Sequence, residues 1–118
     1  MKCETLDVWK KSARLSADVY KAFAQSRDFG FRDQITRAGL SIPSNIAEGM
    51  EKESDKDKIR FLDVAKGSAA EFATQVWIGM DIGYIDKETA KDWIERSDHI
   101  LAMLTKLQHS LKSNKETT

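Results

Sequence analysis

The stripe Phe31, Ile35, Ala38, Ile42, Ile46 and Gly49 keeps a spacing of three and four residues, and it passes straight through Pro43. That period is the one an α-helix imposes on its buried face; a strand would alternate every second residue. The chain must therefore carry proline inside a long helix, where ring clash and one lost hydrogen bond cost about 3 kcal/mol. The unbroken phase predicts a single helix kinked at Pro43 rather than two helices. The carbonyl that loses its donor belongs to Gly39, whose missing side chain leaves room for a bend. A nearby serine hydroxyl is placed to take up the freed acceptor.

Three more runs share the period. Leu6, Trp9, Ala13, Ser16, Tyr20 and Phe23 form one face, widened by Val8, Leu15, Val19 and Ala22. Phe61, Leu62, Ala65, Ala69, Phe72, Val76 and Met80 form another, thinned at Gly67–Ala70 so that a neighbouring helix can come close. Ala90, Trp93, Ile94, Ser97, Ile100, Leu101, Leu104, Leu107 and Leu111 form the last. Helices are expected over about 5–25, 31–51, 56–83 and 87–111, with a frayed tail at 112–118. SRDFG breaks the first two runs, with Gly30 as its flexible point. Ser54 or Asp55 caps the third helix, GYID makes the last turn, and Asp86 caps the fourth. One proline and short connections give an all-α fold, an antiparallel up-down-up-down four-helix bundle in a single domain spanning 1–118.

The apolar arcs are wider than a lone bundle needs. Leu40, Pro43, Ala47 and Met50 fall on the flank of the second helix, and Trp77 lies off the core face of the third. Extra apolar flanks on several helices point to self-association, with these five residues as the candidate interface.

A polar row also runs along the second helix: Gln34, Arg37, Ser41, Asn45 and Glu48, with Ser44 among them. The third helix carries Ser68, Glu71 and Gln75. With the turn centred near Glu53–Ser54, Gln34 faces Gln75, Arg37 faces Glu71, and Ser41 faces Ser68. The expectation is an inter-helix polar seam with an Arg37–Glu71 ion pair fixing the register.

Catalytic chemistry is missing. His99 and His109 project to the polar side of the fourth helix and have no Glu-x-x-His partner, so no metal site is expected. Neither histidine is placed beside the seam serines, and no glycine-rich phosphate loop follows a strand. The expectation is a protein that is not an enzyme, with no cofactor and no evident small-molecule substrate. Cys3 is the only cysteine, which excludes an internal disulfide. No apolar run spans a membrane and no signal peptide is seen, so a cytoplasmic protein is expected. Nineteen basic residues balance nineteen acidic ones, which argues against a chain built wholly around phosphate neutralisation. Local basic groups remain: Lys10, Lys11 and Arg14 on the first helix, Arg32 on the second, and Lys52, Lys56, Lys58 and Arg60 around the second turn. In an oligomer, symmetry would multiply such a patch, and these eight are the candidate nucleic-acid contacts.

RAGLSIPSNIAEG at 37–49, FLDVAKGSAAEFATQ at 61–75, GYI at 83–85 and DQ at 33–34 together resemble the 23S rRNA intervening sequence proteins, also called the S23 ribosomal protein family. The resemblance runs in order over nearly the whole chain. It implies a bacterial four-helix bundle that forms a homopentameric ring, with relatives often encoded inside inserts in 23S rRNA genes. It is more distantly similar to the accessory proteins of diversity-generating retroelements, which are basic pentamers that bind nucleic acid and a reverse transcriptase. The family pattern falls on Arg37, Ser41, Pro43, Asn45, Glu48, Gly49, Phe61, Gly67, Ser68 and Glu71. Two departures stand out: SRDFG lacks the usual proline, and the net charge is zero. Two functions follow. One is an oligomer that binds RNA or other nucleic acid through a surface formed by assembly. The other is an oligomeric scaffold for protein partners without nucleic acid. The resemblance favours the first, the charge balance the second.

Overall fold

A computed structural model describes Lys2, Cys3 and residues 5–116. It contains four helices: α1 (Asp7–Ala22), α2 (Phe29–Met50), α3 (Asp55–Asp81) and α4 (Lys87–Glu116). They build a rod of 52 × 22 × 21 Å. Each helix packs against its neighbours in sequence, and α1 also packs against α4; among the described residues the backbones of the diagonal pairs α1–α3 and α2–α4 stay farther apart. The helices thus stand in a square with four side faces. Across α2 and α3, Gly49 meets Phe61, Ser41 meets Ser68, and Gly39 meets Phe72. Residue numbers fall along one helix as they rise along the other, so the pair runs antiparallel. The same reversal joins Ala69 to Ser97 and Ile59 to Gln108 across α3 and α4.

The core follows the apolar stripes. Leu15, Val19, Ile35, Ile42, Ile46, Leu62, Phe72, Val76, Ile100 and Leu104 are buried from all four helices. Burying one such side chain contributes about 1.5–3 kcal/mol, so this layer outweighs the proline in α2 many times over. Pro43 lies inside one continuous α-helix, as the phase of the stripe requires. No side-chain donor reaches the Gly39 carbonyl among the described residues. The Ser41 hydroxyl instead meets Ser68, and Asn45 Nδ2 donates to the Ser41 carbonyl at 2.8 Å.

The helix ends correct the expected bounds. α1 begins at Asp7 and stops at Ala22, short of Gln25. Its buried face centres on Val8, Ser12, Leu15, Ser16 and Val19, which rotates Tyr20 out to 45% exposure. α2 starts earlier than Phe31 because the Asp28 carboxylate accepts the Phe31 N–H at 3.0 Å and caps it. Gly30 is therefore helical. The residue that needs a left-handed backbone is Gly83, at φ 83°, where α3 ends and the Tyr84 N–H returns to the Gly79 carbonyl at 2.8 Å. Ser54 caps α3 and Asp86 caps α4, each accepting a backbone N–H three residues on.

α4 continues through 112–116, where fraying was expected; residues 117 and 118 lie outside the described residues. Nothing in SLKSNKE breaks a helix, and Gln108 ties this end to α3. Its Nε2 donates to the Ile59 carbonyl at 3.1 Å and to Asp63 at 2.7 Å, while Lys66 Nζ donates to its Oε1 at 3.2 Å. Cys3 is a buried free thiol. Among the described residues, no helix is long and apolar enough to cross a membrane.

Candidate nucleic-acid interface and assembly faces

The four side faces differ in chemistry, and the expected site residues divide among them. Between α2 and α3 the polar seam contracts to three residues. The Ser41 and Ser68 hydroxyls stand 2.8 Å apart, and Asn45 Nδ2 donates to Ser41 Oγ at 2.9 Å. Gln34, Ser44 and Glu48 are exposed. Gln75 gives its amide N–H only a long contact of 3.4 Å to Glu71 on its own helix, and its buried Oε1 has no donor among the described residues.

The Arg37–Glu71 ion pair does not form: neither side chain takes part in a salt bridge among the described residues. The reason is angular. Arg37 sits about 80° round α2 from Asn45, almost opposite the core, and lines the groove shared with α1 beside Tyr20 and Leu40. A wheel reading places the serines correctly but allows too wide an arc for a residue eight positions away.

Apolar chemistry occupies two opposite faces. Between α1 and α2, Trp9, Ala13, Leu40, Pro43 and Ala47 line a groove of about 300 Å³. Leu40 is 45% exposed, Ala47 is half-buried, and Pro43 forms buried floor. Met50 is partly buried, packs against the core and does not line this groove. Between α3 and α4, Trp77 projects at 56% exposure beside Ala73, Thr74, Ile78 and Ile94. Sequence reading grouped Trp77 with Leu40; the structure puts them on opposite sides of the rod.

The fourth face, between α1 and α4, holds a cleft of about 490 Å³ lined by Lys10, Lys11, Arg14, Asp92, Glu95, Arg96, His99 and Ile100. Positions 10, 11 and 14 share one side of α1 because three and four residues make one turn. None of these three cations has an ion pair or hydrogen bond to a described residue. Across the cleft, Arg96 Nη1 bonds Asp18 at 3.0 Å and Asp92 at 3.5 Å. Arg96 escaped the sequence reading because its partner Asp18 on α1 lies 78 positions away, and His99 reads as a solvated side chain without that pairing. The alignment of a basic turn on α1 with arginine and histidine one turn apart on α4 was the available signal.

The other expected basic contacts are spent locally. Lys52 and Arg60 stack on Phe61 at 4.9 and 5.5 Å, Arg60 also pairs with Asp57, and Lys58 pairs with Asp55. Arg32 stacks on Phe29 at 4.7 Å and pairs with Asp33. Lys56 is exposed. Of the eight candidates, Lys10, Lys11 and Arg14 are the three that line the cleft.

Two anionic groups have shifted acidities, both at helix caps. Asp28 is held below the ordinary aspartate value, mainly by the Phe31 N–H and further by the Tyr84 hydroxyl at 2.8 Å. That same bond raises Tyr84. The Thr89 N–H and hydroxyl lower Asp86. These groups fasten loops and stand apart from the cleft. No cluster of three or more metal-ligating side chains occurs among the described residues.

Residues 4–106 match the family described as 23S rRNA-intervening sequence protein. The chain belongs to that family. A crystal structure of a protein of unknown function from the S23 ribosomal protein family of Bacteroides thetaiotaomicron is similar to it, with a TM-score of 0.80 at 27% identity, covering 86% of this chain and 97% of that one. No curated protein matches this chain. In this intervening sequence protein, the motif at 37–49 supplies Ile42 and Ile46 to the core, Ser41 and Asn45 to the seam, and Leu40 and Pro43 to the α1–α2 groove. Gly49 within it admits the Phe61 Cβ, which would stand only 2.8 Å from an added methyl group.

Proposed function

We propose that this chain is a non-catalytic, self-associating protein of the bacterial cytoplasm whose assembled surface binds nucleic acid through its phosphate backbone. The observation that carries the assembly is the placing of apolar chemistry on two opposite faces, a projecting Trp77 on one and the Leu40–Pro43–Ala47 groove on the other. Unlike faces that mate head to tail generate a ring when the rotation closes. The family resemblance favours five copies. Such a ring leaves the seam and the basic cleft uncovered, and a protomer of zero net charge then presents several clefts together.

Light scattering tests it. The wild-type protein is expected at a multiple of the 13.4 kDa chain mass, and Trp77→Glu at the mass of one chain with unchanged helical circular dichroism. A wild-type mass of one chain at micromolar concentration refutes the assembly. The charge balance supports a second reading, a scaffold for protein partners. An assembled protein that binds no RNA at low salt would establish it over the first.

A further inference from the structure

We infer that the α1–α4 cleft is the anion site of the assembly, and that its ligand is a phosphodiester backbone held without regard to base sequence. The inference rests on the nucleic-acid reading above and adds the place and the manner of binding.

Charge accounting across the molecule leads there. Four of the other candidate cations, Arg32, Lys52, Lys58 and Arg60, are engaged by aromatic rings or neighbouring carboxylates, and Lys56 stands exposed by itself at the second turn. In the cleft, Lys10, Lys11 and Arg14 converge with no such partner among the described residues. Arg96 is set in place by Asp18 and Asp92, and both bonds use Nη1. Among the described residues its Nη2 and Nε hydrogens have no acceptor and remain to donate, in a guanidinium already oriented by these carboxylates. Asp92 and Glu95 stand on the α4 wall and repel phosphate there. The backbone accordingly tracks the α1 wall, over an aliphatic floor at Ile100. No phenylalanine, tyrosine or tryptophan lines the cleft, and His99 is the one ring in it, on the α4 wall away from the cations of α1. Phosphate contacts position a nucleic acid but carry no sequence information. In a ring closed through the two apolar faces, symmetry repeats the cleft once per protomer, so one continuous backbone can cross several.

The test compares two triple variants that remove equal charge. Lys10, Lys11 and Arg14→Gln empties the α1 wall. Lys56, Lys87 and Lys112→Gln removes three exposed lysines elsewhere. Each is checked for helicity and for oligomer mass, then titrated by fluorescence anisotropy against labelled RNA duplexes of about 20 base pairs, over a salt series. The cleft variant is expected to lose at least tenfold in affinity at 0.1 M salt. Its slope of log affinity against log salt should shrink by roughly 2–3, near 0.9 for each lost phosphate contact. The control variant should stay within threefold of wild type, and two unrelated duplex sequences should bind equally well. Equal losses in both triples, or tenfold discrimination between sequences, overturn the inference. If wild type binds and the cleft variant matches it, the cleft fails while nucleic-acid binding stands. If wild type shows no salt-dependent binding, the nucleic-acid reading falls and the cleft with it.

Discussion

Alanine at Gly67, midway along α3, and alanine at Gly49, in the last turn of α2, are the same chemical change, and the structure predicts opposite signs for them. Each substitution gains helix propensity, about 1 kcal/mol over glycine in mid-helix at Gly67 and less in the last turn at Gly49. At Gly67 an added Cβ finds no atom within 4 Å, so the gain is kept. At Gly49 the added Cβ stands 2.8 Å from the Phe61 Cβ and 3.5 Å from the Lys58 carbonyl. A Cβ is fixed to its backbone and cannot rotate aside, so α2 and α3 must separate where they meet. Overpacking of this kind costs about 1–3 kcal/mol and exceeds the propensity gain over most of that range. Gly67→Ala should therefore raise stability by about 0.5–1 kcal/mol, and Gly49→Ala should lower it by up to about 2 kcal/mol. Thermal or urea unfolding reads both, at one fixed protein concentration because assembly couples to apparent stability. On the order of 3–6 °C per kcal/mol is expected in Tm. A stabilised Gly49→Ala would refute the close α2–α3 approach. A destabilised Gly67→Ala would show that something covers that surface.

Three other perturbations probe separate parts. Gln108→Leu strips the α3–α4 tie from Asp63 and Lys66 and should cost about 1–3 kcal/mol in urea unfolding, with little change in helicity. Ser54→Ala removes the α3 cap and should cost about 1 kcal/mol. Tyr84→Phe should let Asp28 titrate higher by NMR, while the Phe31 N–H still keeps it below the ordinary value. A lowered carboxylate stabilises the fold above its unfolded pKa, and that contribution is lost as pH falls through the lowered folded value. The variant should therefore be less sensitive to acid than wild type, relative to its own stability at neutral pH.

Much of the fold was legible because helical period is a local property. The stripe through Pro43 fixed a continuous α2, and Ser54 and Asp86 announced two caps. Asp28 was overlooked because Gly30, two residues on, looked like the break; a carboxylate three residues before Phe31 was the better signal. The Ser41–Ser68 contact follows from the turn position, since both residues border the core. Arg37–Glu71 failed because both side chains point further toward solvent than a wheel drawn on apolar residues alone reveals. Gln108 lies outside the apolar stripe read for the fourth helix, yet it is buried, with hydrogen bonds that reach back into α3. The cleft was hidden for a different reason. Its walls are the first and last helices, and only the closed square brings Arg14 opposite Arg96. Likewise, the split of Leu40 from Trp77 onto opposite faces is a fact of packing that no single helix carries.

That split gives the sharpest test of the assembly. Trp77→Glu destroys the projecting face and keeps the groove; Leu40→Glu destroys the groove and keeps the projection. Each variant alone should run as one chain. Mixed in equal amounts, they retain one intact contact between them, so light scattering should find one-to-one pairs at twice the chain mass and nothing larger. Full-sized rings from the mixture, or no association at all while wild type remains assembled, would contradict head-to-tail mating of these two faces.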